Sequence, residues 1–290
     1  MKKSLFLVIA SILAVALFSG CPKKQEPAPA VQDDGAPAAA IVAGPTIQKI
    51  KAAGKVVVYT NPEFAPYEYM GANKQIVGAE IDIVNKIAEK LGVKAEIVSA
   101  EFDSIIGTVQ TGKADIGASG FTITEERKKI VDFSKPFVVS VQYLIVPEAC
   151  TAKSAEEFAG KRIGGQNGTT GLMMVEDAVK SGVLKNTKTE VKSYNNAPDA
   201  VVAMVNGRLD AVVIDELVAI SLAKKNPGYK AIPLVDKDGK GLDAPEEFGM
   251  IVSKNKEDLL DAINQVIDEM LKDGSMNAAI LKHNGLSVAQ

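Results

Sequence analysis

Tryptophan is absent from this 290-residue chain, histidine occurs once and cysteine twice, and these shortages exclude several chemistries before any motif is read. A metal site built on two or more histidines is impossible, and a Ser-His-Asp triad would have to be assembled on His283. With Cys21 and Cys150 alone, there is no disulfide framework of the kind that staples small exported domains. Charge is scarce in blocks. The 33 basic and 36 acidic residues leave a formal net charge of −3, with no basic run suited to nucleic acid and no acidic tail. Past the first twenty residues, no apolar run approaches the roughly 18 residues that a membrane-spanning helix needs.

The N-terminus is unlike the rest. MKKSLFLVIASILAVALFSG has basic Lys2 and Lys3, an apolar run from Leu5 to Phe18, and small Ser19 and Gly20 before Cys21. Residues 1–20 therefore read as a secretory signal peptide and stand outside the fold. The LFSGC ending resembles the bacterial lipobox, which implies that Cys21 carries lipid after cleavage. Phe18 departs from that pattern, where an aliphatic residue is usual, and a plain signal peptide followed by a coincidental cysteine is the alternative. Residues 21–46 are rich in Pro and Ala without helix or strand period, as a flexible tether would be. Cys150, left without a partner, reads as a small apolar residue. Together these features place a soluble body just outside a membrane, at its periplasmic or extracellular face.

From Thr46 onward, apolar strand-like runs alternate with helical patterns, which predicts an α/β architecture with parallel strands. KVVVYT is a buried strand. AEIDIVNKIAEKLG places Ile81, Val84, Ala88 and Leu91 on one helical face and stops at Gly92. A second unit of the same kind begins near Val141. FDSIIGTVQTGKADIGASGFT in the first unit aligns with APDAVVAMVNGRLDAVVIDEL in the second: an apolar helix, a Gly-ending turn, then a strand. The late strand in EEFGMIVSKNK and the helices after it return the chain to the first unit. The expected division is residues 47–137 plus 249–290 as lobe one and 142–243 as lobe two, with a hinge near 138–141 and 244–248.

One stretch concentrates hydrogen-bonding groups at a strand end: GASGFTITEER, Gly117 to Arg127. Thr122, three residues before Glu125, reads as a capping box that aims free amides at one point. Arg127 follows with a donor fork suited to a carboxylate. Free amides, a hydroxyl, a carbonyl and an arginine are what an α-amino acid's charged groups need. The alternative is a surface helix start with a solvated arginine.

NPEFAPYEY, IVGAEIDIVNKIAEKLG, TITEERKKIVDFSKPF, QNGTTG and GRLDAVVIDE, in that order, resemble the bacterial extracellular solute-binding proteins of family 3, the polar-amino-acid receptors of ABC transporters. The resemblance implies a type II periplasmic-binding-protein-like fold, two three-layer α/β/α lobes joined by a two-stranded hinge. It implies that Arg127 clamps a ligand carboxylate, joined by the amides of Thr122 and Thr170. The Thr122 hydroxyl and Gly120 carbonyl would meet the ammonium, opposed from the second lobe by Asp215. Asn61, Phe64 and Phe102 would line the side-chain pocket, with Glu80, Ser119, Gln166 and Thr169 as weaker candidates. Asp215, Thr169 and Thr170 also read as helix caps, and Phe64 and Phe102 as core rings. Asn61 replaces the aspartate that some members carry.

The expected function is capture of a polar L- or D-α-amino acid by lobe closure and its delivery to an ABC transporter permease. The expected protein is a monomer held to the membrane by its N-terminal lipid, without cofactor, metal or nucleic-acid partner. The rival reading is a cleft enzyme of the same fold, such as a cyclohexadienyl dehydratase, with Glu63 or Glu80 as an acid. A sensory ectodomain is a third. Glu63 or Glu80 near the pocket would favour a cationic ligand side chain, whereas Asn61 suggests a neutral one.

Overall fold

The computed structural model describes residues 41–285. The expected signal peptide and Cys21 lie outside the described residues, as does the tether up to residue 40. Helix α1 (Pro45–Ala53) opens on proline, whose missing N–H is no loss in a first turn. Ile47 and Ile50 bury its inner face, and Ile41 and Ala43 already pack against the same core. Residues 41–46, expected as part of the linker, thus lie against the folded body. Strand β1 (Lys55–Thr60) follows, with Val56 and Val58 buried. After it, the chain forms an antiparallel meander of β2 (Glu63–Phe64), β3 (Glu68–Met70) and β4 (Ile76–Val77). Strands of two or three residues carry too little alternation to register as a pattern.

Helix α2 (Ala79–Leu91) buries the four residues its periodicity singled out and ends at Gly92, whose φ of 71° suits a residue without Cβ. Then come β5 (Lys94–Ser99), α3 (Phe102–Gln110), β6 (Ile116–Gly117), the four-residue α4 (Glu125–Lys128) and β7 (Val131–Phe133). The chain crosses on β8 (Val138–Ser140) and continues into β9 (Gln142–Pro147), a 3₁₀ turn at Ala155–Phe158, β10 (Arg162–Gln166) and α5 (Thr170–Lys180). β11 (Glu190–Tyr194), α6 (Ala197–Val205), β12 (Ala211–Asp215), α7 (Glu216–Lys225) and β13 (Tyr229–Pro233) complete that half. It returns on β14 (Glu246–Phe248) to β15 (Ile251–Ser253), α8 (Glu257–Lys272) and α9 (Ser275–His283).

The strand orders of the two halves match. The first sheet runs β5-β1-β6-β15-β7 and the second β11-β10-β12-β9-β13. In each, the fourth strand is antiparallel to both of its neighbours. That strand is the one just past a crossing, β15 after β14 and β9 after β8. Each lobe thus takes its odd strand from the chain arriving from the other, and the sheets are mixed where parallel ones were expected. β8 and β14 pair antiparallel as the two-stranded ribbon that joins the lobes.

Helices cover both faces of each sheet. In the first lobe, α2 and α8 close one side. The latter buries Leu259, Ala262, Ile263, Val266, Ile267 and Met270 at helical spacing, the larger side chains each contributing about 1.5–3 kcal/mol. Phe102, Ile105 and Val109 of α3 pack on the other side with Phe121, Val131 and Ile251. In the second lobe, α6 and α7 lie opposite α5. The carboxyl ends of β1, β6, β10 and β12 leave their loops at the junction between lobes, where open α/β sheets bind ligands.

Candidate functional site

The site is built from strand ends and helix starts. Arg127 belongs to the short helix α4, whose cap is Thr124: its Oγ1 accepts from the Arg127 N–H at 3.2 Å. The capping box expected at Thr122 and Glu125 does not form, because Thr122 is engaged elsewhere. The Arg127 side chain is buried. Its Nη1 donates to the Thr122 carbonyl at 2.7 Å, and its Nη2 donates across the junction to the Gly168 carbonyl at 2.9 Å. The guanidinium lies 5.7 Å from the ring centre of Phe102 and 5.6 Å from that of Phe121, within cation–π range, and those rings stack 4.7 Å apart. Burial lowers Arg127 to about 10, against the pull of Glu246 and Asp215, and it stays cationic at neutral pH.

The turn after β6 forms the floor. Gly120 has a φ of 57°, and an added Cβ would meet the Phe64 ring at 2.6 Å, so the backbone approaches that ring as only glycine allows. The Gly120 N–H donates to Glu80 Oε2 at 2.7 Å, and Ser119 Oγ donates to Glu68 Oε1 at 3.3 Å. Asn61, just past β1, donates its backbone N–H to Ser119 Oγ at 3.0 Å. Glu80, expected among the ligand-contacting residues, therefore stands behind the turn and supports it.

The opposite wall comes from the second lobe. Thr169 caps α5, its Oγ1 accepting from the Leu172 N–H, so the helix presents its amino end and partial positive charge. Gln166, ending β10, donates from Nε2 to Asn61 Oδ1 at 3.0 Å and to the Asn195 carbonyl at 3.1 Å. Thr170 Oγ1 and Thr122 Oγ1 are 3.1 Å apart across the junction. Asp215, ending β12, is buried, and its Oδ1 has no hydrogen-bond partner among the described residues. Burial, and then the nearby Glu246, raise it to about 7.

Eleven of the twelve residues expected around the cleft line one cavity, Glu80 being the exception. The position that sequence reasoning missed is Glu246, in the ribbon strand β14. Its Oε2 accepts from Thr122 Oγ1, Thr170 Oγ1 and Gln142 Nε2, each at 3.0 Å, tying both walls to the ribbon. Glu246 and Glu247 differ locally only in which face of a three-residue strand they occupy. No sequence signal separated them.

Other candidates lie away from the cavity. His283 bonds Tyr69 Oη through Nδ1 and Asp82 Oδ2 through Nε2, both at 3.1 Å, and pins α9 to α2 and the meander. Glu63 lies on a separate groove with Lys225 and Met70. Cys150 packs at the edge of the second lobe's core. Among the described residues, no group of three or more His, Cys, Asp or Glu is placed to hold a metal ion. The cavity presents a buried guanidinium and a helix amino end to an anion, and the free Oδ1 of Asp215 to a cation.

The model of the family described as bacterial extracellular solute-binding proteins, family 3, matches residues 56–285. The L-cystine-binding protein TcyJ of Escherichia coli is 29% identical over 267 residues, covering 88% of this chain and 96% of that protein. The crystal structure of the substrate-binding protein AbpA from Streptococcus pneumoniae, bound to L-arginine, superposes with a TM-score of 0.75 at 29% identity, over 84% of this chain and all of that one. An ancestral arginine-binding protein bound to glutamine superposes with a TM-score of 0.69 at 37% identity, over 79% of this chain and 97% of that one.

Proposed function

The chain belongs to the bacterial extracellular solute-binding proteins, family 3, and from that footing we propose that it captures an α-amino acid between its lobes and delivers it to the permease of an ABC transporter. The observation that carries this is the pairing of one buried cation, Arg127, with one buried acid, Asp215, whose Oδ1 has no partner among the described residues, on opposite walls of one cavity. The ligand carboxylate takes the Arg127 fork with the amides of Thr122 and Thr170. Its ammonium takes Asp215, the Gly120 carbonyl and the Thr122 hydroxyl. Asn61, Phe64, Phe102 and Gln166 surround the side chain.

Both Gln166 N–H groups are already committed, to Asn61 and Asn195, so Gln166 turns only its carbonyl oxygen to the ligand. Among the described residues, Arg127 is the sole cation lining the cavity. A side chain that donates hydrogen bonds, an amide or a guanidinium, is satisfied there, and a carboxylate is not. Relatives named for arginine and a structure holding glutamine support that choice.

Closure follows from where the contacts lie. Arg127 to Gly168, Asn61 to Gln166 and Thr122 to Thr170 bridge the lobes, and a zwitterion adds to them only when both walls meet it. Moving an equilibrium from 99:1 open to 99:1 closed takes about 5.5 kcal/mol of preference for the closed state. Charge-assisted hydrogen bonds of about 1.5–3 kcal/mol each supply it. We assign residues 138–141 and 244–248 as the hinge between lobe one and lobe two. We further propose a monomer tethered outside the membrane through lipid on Cys21.

A thermal-shift screen of the common L- and D-amino acids tests the reading. A ligand at a hundred times its Kd stabilises by about 2.7 kcal/mol, a shift of roughly 5–10 °C for a protein of this size. Glutamine or arginine should give such a shift together with a smaller radius of gyration in X-ray scattering. A screen in which no amino acid shifts the transition, or in which glutamate and aspartate shift it most, overturns it.

A further inference from the structure

Behind the Ser119–Gly120 turn sit two glutamates with no exposed surface at all, Glu68 on β3 and Glu80 on α2. Each uses one oxygen to hold the turn: Glu80 Oε2 accepts from the Gly120 N–H, and Glu68 Oε1 from Ser119 Oγ. Their remaining oxygens, Glu68 Oε2 and Glu80 Oε1, have no donor among the described residues, although the two carboxyl groups are within hydrogen-bonding reach of each other. Two ionised carboxylates cannot stay in that arrangement, since each orphaned oxygen would be buried bare and the charges would repel. One proton between them satisfies both oxygens at once.

We propose that Glu68 and Glu80 share a single proton, carried by Glu68 and donated to Glu80, and that the singly protonated pair positions the Ser119–Gly120 turn for the cavity. The donors already present choose the direction. The Gly120 amide can only donate, and at 2.7 Å it favours charge on Glu80, while the longer 3.3 Å contact from Ser119 leaves Glu68 the neutral member. A continuous chain results: the Asn61 N–H donates to Ser119 Oγ, Ser119 to Glu68, Glu68 to Glu80, and the Gly120 N–H to Glu80 from the other side.

The other titratable groups coupled to this pair are Tyr67, in the loop before β3, which feels both carboxyls, and Asp215 across the junction, which acts on Glu68. None is a cation, so nothing among them draws the proton off. Burial first, and then the negative charge of Glu80, push Glu68 well above the usual carboxylate range. Burial also raises Glu80, to about 7, held down by the Gly120 amide and by the Glu68 hydrogen bond. The pair touches no ligand, so both are positioning residues. The proton is independent of the proposed function, whereas the positioning role rests on the cavity being the amino-acid site.

Carbon-13 NMR titration of glutamate carboxyl carbons in the unliganded protein tests the proton directly. One carboxyl should titrate well above the ordinary carboxylate range in the wild type and vanish in Glu68→Gln. If every glutamate titrates near the ordinary value of about 4.3, the shared proton is refuted. Calorimetry with L-arginine and L-glutamine from pH 6 to 9 tests the positioning. Glu68→Gln puts an N–H where the O–H stood, and its affinity should stay within about threefold of wild type. Glu68→Leu, with no donor, should lose about tenfold or more. Wild-type affinity should fall toward pH 9 as the proton leaves, and that loss should be absent in Glu68→Gln. Equal weakening by both substitutions, or identical pH profiles, overturns positioning through the proton. If neither amino acid binds the wild type, the proposed function fails, and the NMR titration still decides the proton.

Discussion

Arg127 and Asp215 face one cavity, and burial leaves them in different states. Arg127, at about 10, remains a cation throughout the physiological range. Replacing it by alanine removes two charge-assisted bonds to a carboxylate, so affinity for an amino acid should fall ~100-fold or more while circular dichroism stays unchanged. Lysine, a point charge without the planar fork, should not restore it. Asp215, at about 7, is half protonated near neutrality. An ammonium beside it favours the ionised form, so binding should expel a proton below pH 7 and affinity should decline as pH drops from 8 to 5. Calorimetry in buffers of different ionisation enthalpy would detect the released proton. Asp215→Asn should bind ~10-fold or more weakly at pH 8 and lose most of that pH dependence.

At the scale of elements, α4 shows how a local rule loses to tertiary demand. Thr122 with Glu125 satisfied the capping pattern, yet Thr122 Oγ1 is occupied by Glu246 and Thr170, and Thr122 forms an isolated antiparallel bridge with Phe248. The cap moves two residues on, to Thr124, and its hydroxyl holds the backbone of Arg127 itself. Thr124→Ala should therefore cost about 1 kcal/mol of stability and weaken ligand binding as well. Asn196→Ala, which removes the α6 cap bonded to the Asp199 N–H at 2.8 Å, should cost a similar amount with affinity unchanged. Comparing denaturation midpoints with calorimetric Kd values separates the two. Equal loss of affinity in both would deny α4 its part. The longer helices, by contrast, were legible, because α2 and α8 repeat an apolar face over three or four turns.

The whole molecule stores its ionisable strain at the junction of its lobes. The Glu68–Glu80 pair, through its shared proton, and Asp215 are raised, Asp215 to about 7, against about 4 for the unfolded chain. Between those values the folded protein holds protons that the unfolded chain has released. Acidification from pH 8 to 5 should therefore raise the Tm of the unliganded protein, and the gain is lost as pH rises through 7. Groups held low, such as Asp258 and Asp210, contribute stability that disappears only at lower pH, below the ordinary carboxylate range. Differential scanning calorimetry in steps of pH checks this. Asp215→Asn should flatten the rise, and a wild-type Tm that falls steadily from pH 8 to 6 would contradict it.

Hydrophobic period, helix stops and the echo between the two halves determined by themselves that the chain makes two similar α/β lobes with two crossings, since burial of one face imposes its period on any sequence that folds. Arg127, Thr170 and Asp215 were assigned to one site through the family resemblance, and their places after strands agree with it, because loops at carboxyl ends of parallel strands converge. What only the tertiary structure decided are contacts between residues far apart in sequence. The odd strand of each sheet comes from the opposite crossing. Glu246 binds three donors from both walls, and Glu80 turns away from the cavity to meet Glu68 and Gly120. Those outcomes depend on which buried polar atoms find partners once the lobes meet, and local spacing carries no record of that.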